Sequence, residues 1–171
     1  METKNNPKIS LIVAIAKGSR TIGKEGGGIP WHISEDFKYF KNITTGHPMI
    51  MGRVTWELFG GKPLPNRTSI VVTNNPNYKV PDGHFVCGSI EAAIEKAREL
   101  DSNEIFVIGG ASIYEAAMKY ANRIYVTIVD VDIDGPAKFP DYVAAGFAKI
   151  VSSRDSSEGD YRYTFQVVEK N

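Results

Sequence analysis

Residues 9–16 read Ile9-Ser10-Leu11-Ile12-Val13-Ala14-Ile15-Ala16, an almost unbroken apolar run. It is too short to cross a bilayer, which takes about 20 residues. A strand that is apolar on both faces belongs inside a parallel sheet covered by helices on both sides.

The chain on either side of this run agrees. Residues 17–30 form a loop containing Gly18, Gly23 and Gly26-Gly27-Gly28, and a segment this rich in glycine should be mobile. A helix is expected over 33–45 with Ser34 as its cap. A strand at 49–51 follows Pro48, and a second helix runs from Arg53 to Gly60-Gly61. Strands at 69–73 and 84–87 flank the turn Asn74-Asn75-Pro76-Asn77. Ser89 caps a helix over 90–100, whose residues Ile90, Ala93, Ile94, Ala97 and Leu100 share one face. A strand at 104–108 turns through Gly109-Gly110 into a helix over 112–120, and a strand at 123–129 comes next. The end changes character: 149–153 and 161–168 read as a hairpin around Glu158-Gly159-Asp160. The expected fold is therefore α/β. A single domain holds a central mixed, mostly parallel β-sheet flanked by helices and ends in an antiparallel C-terminal hairpin. Residues 1–7 should be a flexible tail ahead of a domain spanning 8–171.

Composition narrows the function. The 171 residues carry 20 basic and 20 acidic side chains, a formal net charge of zero. That balance argues against a nucleic acid or a membrane as partner. One cysteine, Cys87, excludes an internal disulfide and a multi-cysteine zinc site, and fits a reducing, cytoplasmic setting. Inside a strand it reads as packing. His32, His47 and His84 lack metal-ligand spacing, so no metal is expected. No GxGxxG fingerprint follows a strand, and no GxxxxGK[ST] loop is present.

Asp36 stands out. On a wheel of ~100° per residue it lies at about −60° from Ile33, inside the arc of Phe37, Phe40 and Ile43. It is either a first-turn acid favoured by the helix dipole or a buried carboxylate that grips a cationic or amidine-like ligand. Trp31 is a core tryptophan or a residue that fixes a water near Asp36 through its indole N–H. Two strands pass through glycine into a helix start, at Gly52-Arg53-Val54-Thr55 and at Gly109-Gly110-Ala111-Ser112. Such turns are common as plain structure. They can also present backbone N–H groups to a phosphate, and two of them could hold one pyrophosphate. Arg67 follows Pro63-Leu64-Pro65-Asn66 and is either a solvated loop arginine or a clamp for a carboxylate.

Taken together, residues 9–16, Ile22-Gly23, Ile29-Pro30-Trp31, Asp36, Met51-Gly52-Arg53-Val54-Thr55-Trp56-Glu57, Pro63-Leu64-Pro65-Asn66-Arg67, Ile108-Gly109-Gly110-Ala111-Ser112-Ile113-Tyr114 and Phe139-Pro140-Asp141-Tyr142 resemble dihydrofolate reductase, in the family's order, from about Lys8 to Glu169. They look like its bacterial, chromosomal-type branch. The resemblance implies NADPH-dependent reduction of 7,8-dihydrofolate to 5,6,7,8-tetrahydrofolate, in support of one-carbon metabolism. Hydride would go to C6 and a proton to N5. Asp36 would bind the pterin N3 and 2-amino group, with Trp31 and Ile29 as its catalytic neighbours and Thr127 as a bridge. Ile12, Val13, Phe37, Phe40, Phe59 and Leu64 would wall the substrate, and Arg67 would clamp its glutamate α-carboxylate. Ala14, Ile22, Gly23 and Tyr114 would lie by the nicotinamide half of NADPH. Ile108, Gly109, Gly110, Ala111, Ser112 and Ile113 would form the pyrophosphate turn, with a cis Gly109-Gly110 bond. Arg53, Val54, Thr55, Thr73 and Asn74 would take the phosphate and ribose end. Residues 17–30 would be the lid.

The resemblance also implies binding of antifolate inhibitors, a monomeric state and a cytoplasmic location. Three positions depart from the family's habit: Ile29, where methionine or leucine is common; Gly88, where a basic residue sometimes stands; and Pro136, in place of an acid that ties a neighbouring loop to the lid. Two rival readings are the pyrimidine reductase of riboflavin synthesis and a catalytically silent nucleotide-binding module. Trp31, Asp36 and Arg67 argue against the first, and an intact acid, clamp and lid argue against the second.

Overall fold

A computed structural model of the chain describes residues 6–23, 29–100 and 103–171. Ten strands are seen there: β1 Lys8–Ala16, β2 Thr21–Gly23, β3 Pro48–Gly52, β4 Thr68–Val72, β5 Phe85–Cys87, β6 Glu104–Val107, β7 Arg123–Val129, β8 Ala137–Lys138, β9 Lys149–Glu158 and β10 Tyr161–Glu169. Four helices accompany them: α1 Ser34–Thr44, α2 Arg53–Leu58, α3 Ile90–Arg98 and α4 Ala111–Ala117, the last continued by a 3-10 turn, Met118–Tyr120.

Eight strands form one sheet in the order β5-β4-β3-β6-β1-β7-β10-β9. All pairs from β5 to β7 are parallel; β10 runs antiparallel to β7, and β9 antiparallel to β10. The expected mixed, mostly parallel sheet is the observed one. β1 lies between β6 and β7, which explains its apolar character on both faces. Ile9, Leu11, Val13 and Ile15 pack in the cluster that includes Ile90, Ile94, Tyr114 and Ala117 of α3 and α4. Ile12 packs on the other face with Met51, Trp56 and Phe106, where Phe40 of α1 and Leu64 join it. The period-2 alternation of a strand thus serves two cores at once.

Several boundaries differ from the sequence reading, each for a physical reason. Ile33, not Ser34, occupies the cap position of α1, and no side chain of that residue caps it. Two first-turn amides are instead met from β9, as described below. α4 begins at Ala111, one residue earlier than expected, because Gly110 already has the extended backbone of a cap residue. β9 is twice the expected length, running as far as Glu158. Its exposed, polar residues are held in strand form by pairing with β10 rather than by burial. Gly159 makes the tight reversal with φ +59°. Residues 17–30 are not loop throughout, since β2 pairs antiparallel with β8. Residues 24–28, the glycine-rich centre of the expected lid, lie outside the described residues. So do 1–5 of the expected tail; Pro7, assigned to that tail, is buried.

No helix among the described residues is long and apolar enough to cross a membrane. No cluster of His, Cys, Asp or Glu among them could hold a metal ion.

Candidate active site

The parallel strands point their carboxyl ends to one edge of the sheet, where ligands of open α/β sheets bind. β3 and β6 are neighbours, so their glycine turns meet there. Gly52 N–H donates to the Gly109 carbonyl at 2.8 Å, and Ile108 N–H donates to Ile50 at 2.9 Å. The two turns therefore form one structure. A Cβ on Gly52 would sit 3.1 Å from the Ile113 side chain, a tight contact that Ile113 would have to yield to. Gly109 has φ +117°, a backbone region suited to glycine, and a Cβ there would press on the Tyr114 ring at 3.2 Å. The Gly109-Gly110 bond is cis, in agreement with the resemblance.

Tyr114 is buried beneath this turn and donates its hydroxyl to the Ile12 carbonyl at 2.7 Å. Burial raises its phenol pKa far above the usual tyrosine value. It is therefore a neutral hydrogen-bond donor that ties the β6–α4 turn to β1. Ile12 and Val13 face opposite sides of the sheet. Of these two, only Ile12 turns its side chain toward the α1 face. Val13 can contribute to a wall there only through its backbone.

Asp36 Oδ1 accepts from the Thr127 hydroxyl of β7 at 2.7 Å. Burial pushes the Asp36 pKa up to about 6; the charge of Glu35 adds to this and the Thr127 hydrogen bond opposes it. The helical-wheel position of Asp36 is thus borne out, and the macrodipole of α1 does not dominate its ionisation. Trp31 is also buried, and its indole N–H has no partner among the described residues. A buried donor left alone is costly, which suits a site completed by water or ligand. Ile29, at 44% exposed, and Phe37, at 46%, remain open to solvent, as do Val54, Leu58 and Phe59. Phe40 and Leu64 are half-buried against the Ile12 cluster.

Arg67 is 9% exposed, not a solvated loop residue. Asn66 reaches φ +59° to make the turn before it, a conformation asparagine tolerates. The guanidinium then donates Nε to the Pro65 carbonyl at 3.0 Å and Nη1 to the Thr44 hydroxyl at 3.2 Å, over the Phe40 ring. Nη2 has no protein partner among the described residues. A cation fixed in this way, with one end of its fork free, is a ready carboxylate receptor.

Arg53, by contrast, is exposed and bonded to Glu57 at 2.7 Å, whose other oxygen accepts from the Tyr78 hydroxyl at 3.3 Å. Thr73 and Asn74 follow β4, on the β5 side of β3, at some remove from Asp36. Ala14 lies near the carboxyl end of β1, and Ile22 and Gly23 lie in β2. The missing acid at Pro136 does not leave β2 untied. Beyond the β2–β8 pairing, the Ser19 and Thr21 hydroxyls both reach the Ile133 carbonyl, and Gly135 N–H donates to Thr21. A Cβ on Gly135 would overlap the Gly23 carbonyl, so this contact depends on glycine.

The sequence reading missed Glu35, Glu158 and Tyr163. Glu158 accepts from the Ser34 and Glu35 amides at 2.7 and 3.0 Å, and Tyr163 donates to Glu35 at 2.6 Å. More than 120 residues separate these partners, and no local pattern could have paired them.

A half-buried carboxylate and two bonded glycine turns at the carboxyl edge of a parallel sheet form a site suited to a small organic ligand and a phosphate-bearing one. A family model described as dihydrofolate reductase matches residues 8–170. The chain belongs to the dihydrofolate reductase family. It is 38% identical over 160 residues to dihydrofolate reductase type 3 of Salmonella typhimurium, covering 94% of this chain and 95% of that one. It is 38% identical over 167 residues to dihydrofolate reductase of Bacillus subtilis, covering 95% and 94%. The Neisseria meningitidis serogroup B enzyme is 42% identical over 160 residues, covering 92% and 95%. Among solved structures, dihydrofolate reductase from Enterococcus faecalis complexed with NADP(H) and RAB-propyl superposes with a TM-score of 0.85 at 28% identity, covering 96% of each chain.

Proposed function

We propose that this protein reduces 7,8-dihydrofolate to 5,6,7,8-tetrahydrofolate with NADPH, by hydride transfer to C6 and protonation at N5, and so supplies one-carbon metabolism. The observation that carries this reading is the half-buried Asp36 carboxylate bonded to Thr127; the Trp31 indole N–H, which has no partner among the described residues, supports it. The pterin N3 and 2-amino group present two donors side by side, and a carboxylate accepts both.

The residues present fit NADPH. The joined glycine turns keep side chains away from the start of α4, where pyrophosphate oxygens can approach backbone N–H groups. Arg53, Thr73 and Asn74 serve the phosphate and ribose end, and Arg53 must share or leave Glu57 to take up a 2′-phosphate. When bound, NADPH supplies the hydride.

The chain's own residues do the rest. Asp36 orients the pterin and favours its protonated form, with Thr127 holding one carboxylate oxygen. Trp31 holds a water by its indole N–H. Ile12, Phe40 and Leu64 form an apolar wall, and Ile29, Phe37 and Phe59 stand ready to lose solvent when substrate enters. Water exclusion strengthens each polar contact in such a site. Arg67 receives the α-carboxylate of the glutamate tail. Ala14, Ile22, Gly23 and Tyr114 border the nicotinamide. We read 8–171 as one monomeric catalytic domain, working in a reducing cytoplasm and open to antifolate inhibitors in the pterin cleft.

The test is direct. Purified protein should oxidise NADPH, followed by its near-ultraviolet absorbance, only when dihydrofolate is added. A folded preparation with no such turnover would refute the reading.

A further inference from the structure

The first turn of a helix leaves four N–H groups without intrahelical partners and carries a positive partial charge. In α1 the Asp36 and Phe37 amides turn back to the Ile33 carbonyl at 3.1 and 3.3 Å. The Ser34 and Glu35 amides go to the two oxygens of Glu158, the last residue of β9. This is a capping carboxylate supplied by a hairpin at the far end of the chain. The same hairpin also takes hold of the helix by a side chain. Ser156, Tyr163 and Arg154 all donate to the Glu35 carboxylate.

We infer that the β9–β10 hairpin is a positioning and charge-setting element for Asp36: Glu158 on the α1 amides and Glu35 held by the hairpin offset the positive end of the helix beside the reactive carboxylate. The inference rests on the proposed role of Asp36 in binding and protonating the pterin.

Both flanking acids stay ionised at neutral pH. Hydrogen bonds from Ser156 and Tyr163 hold Glu35 below the usual glutamate value, and the two backbone amides do the same for Glu158. Two full negative charges therefore stand at a helix start that would otherwise favour ionised Asp36. The other groups near Asp36 do not supply this effect. Tyr39 on α1, pushed up to about 12, and Tyr114 on α4 are neutral; Thr127 on β7 donates to the carboxylate and favours its charge. Arg154 opposes Glu35 but is itself exposed, and His32 lies on the Glu158 side. Without the hairpin, the helix dipole and the Thr127 bond would oppose the effect of burial on Asp36 more strongly.

The test reads the Asp36 side-chain carboxyl carbon by NMR across pH, assigned by its disappearance in Asp36→Asn. In Glu158→Gln the two amides lose a charged acceptor while the side chain keeps its shape. The Asp36 midpoint should fall by roughly half a pH unit, the scale of a charge at a helix end. A midpoint that stays in place or rises in the folded variant overturns the inference. Should Glu158→Gln lose its fold, Glu35→Gln carries the same test with the same direction. A merely structural role for the hairpin would lower the melting temperature without moving this midpoint. The midpoint is read in the free protein, so it fails or succeeds apart from the proposed activity. That activity would be refuted by undiminished turnover in Asp36→Asn.

Discussion

The Thr127 hydroxyl donates to Asp36 Oδ1 across 2.7 Å, joining a β7 side chain to one on α1, 91 residues apart in the chain. The bond orients the carboxylate and opposes the protonation that burial promotes. Asp36 is consequently poised near pH 6, where a small change in surroundings alters its charge. Four substitutions bear on the site built around this pair.

Asp36→Asn should reduce turnover near neutral pH by roughly 10²-fold or more, the scale of a lost proton-handling group, while NADPH affinity is retained. Stability should move the other way. The folded pKa, about 6, lies above the ordinary 3.8, so the folded state binds the proton more tightly. The wild-type protein should lose stability as pH rises from about 4 to about 6, then level off. At ~1.4 kcal/mol per pH unit that interval is worth at most about 3 kcal/mol, less after relaxation of the site. The Asn variant should lack this contribution, and calorimetry of ligand-free protein at pH 4 and pH 8 checks it.

Trp31→Phe should slow turnover several-fold with little loss of stability. The substitution keeps an aromatic ring in the core and removes a buried N–H that has no protein partner, so the folded state gives up no internal hydrogen bond. Denaturant unfolding beside steady-state rates separates the two effects.

Arg67→Leu should raise the dihydrofolate KM by about 10- to 100-fold, as expected for hydrogen bonds to a charged group worth roughly 1.5–3 kcal/mol. The NADPH KM should change less than twofold. Equal effects on both constants would count against the clamp.

Gly109→Ala should weaken NADPH binding and destabilise the fold by roughly 1–3 kcal/mol. The position has φ +117°, and the new methyl would meet the Tyr114 ring at 3.2 Å. Cofactor titration by fluorescence and a melting curve check both parts.

How far the sequence carried depended on the range of the interactions concerned. β1 was legible because a central parallel strand must be apolar on both faces. The glycine turns after β3 and β6 were legible as local backbone chemistry. Ser34 was misjudged as the cap because the capping acceptor, Glu158, comes from the other end of the chain. The length of β9 was misjudged because its residues are exposed and carry no hydrophobic pattern; pairing with β10 alone keeps them in a strand. The tie between β2 and β8 escaped notice for a similar reason, since it rests on backbone contacts and on the small size of Gly135.

Sequence by itself determined the sheet's parallel core, the placing of Asp36 on the inner arc of α1, and the two turns able to receive a phosphate. These follow from period, burial and glycine, which act over a few residues. Tertiary structure alone decided that the two turns bond to each other, that Arg67 is fixed by Pro65 and Thr44, and that Asp36 meets Thr127 while Glu158 caps its helix. Each of these joins groups brought together only when strands pair, and the ionisation of Asp36 depends on a burial that no local stretch of chain can create.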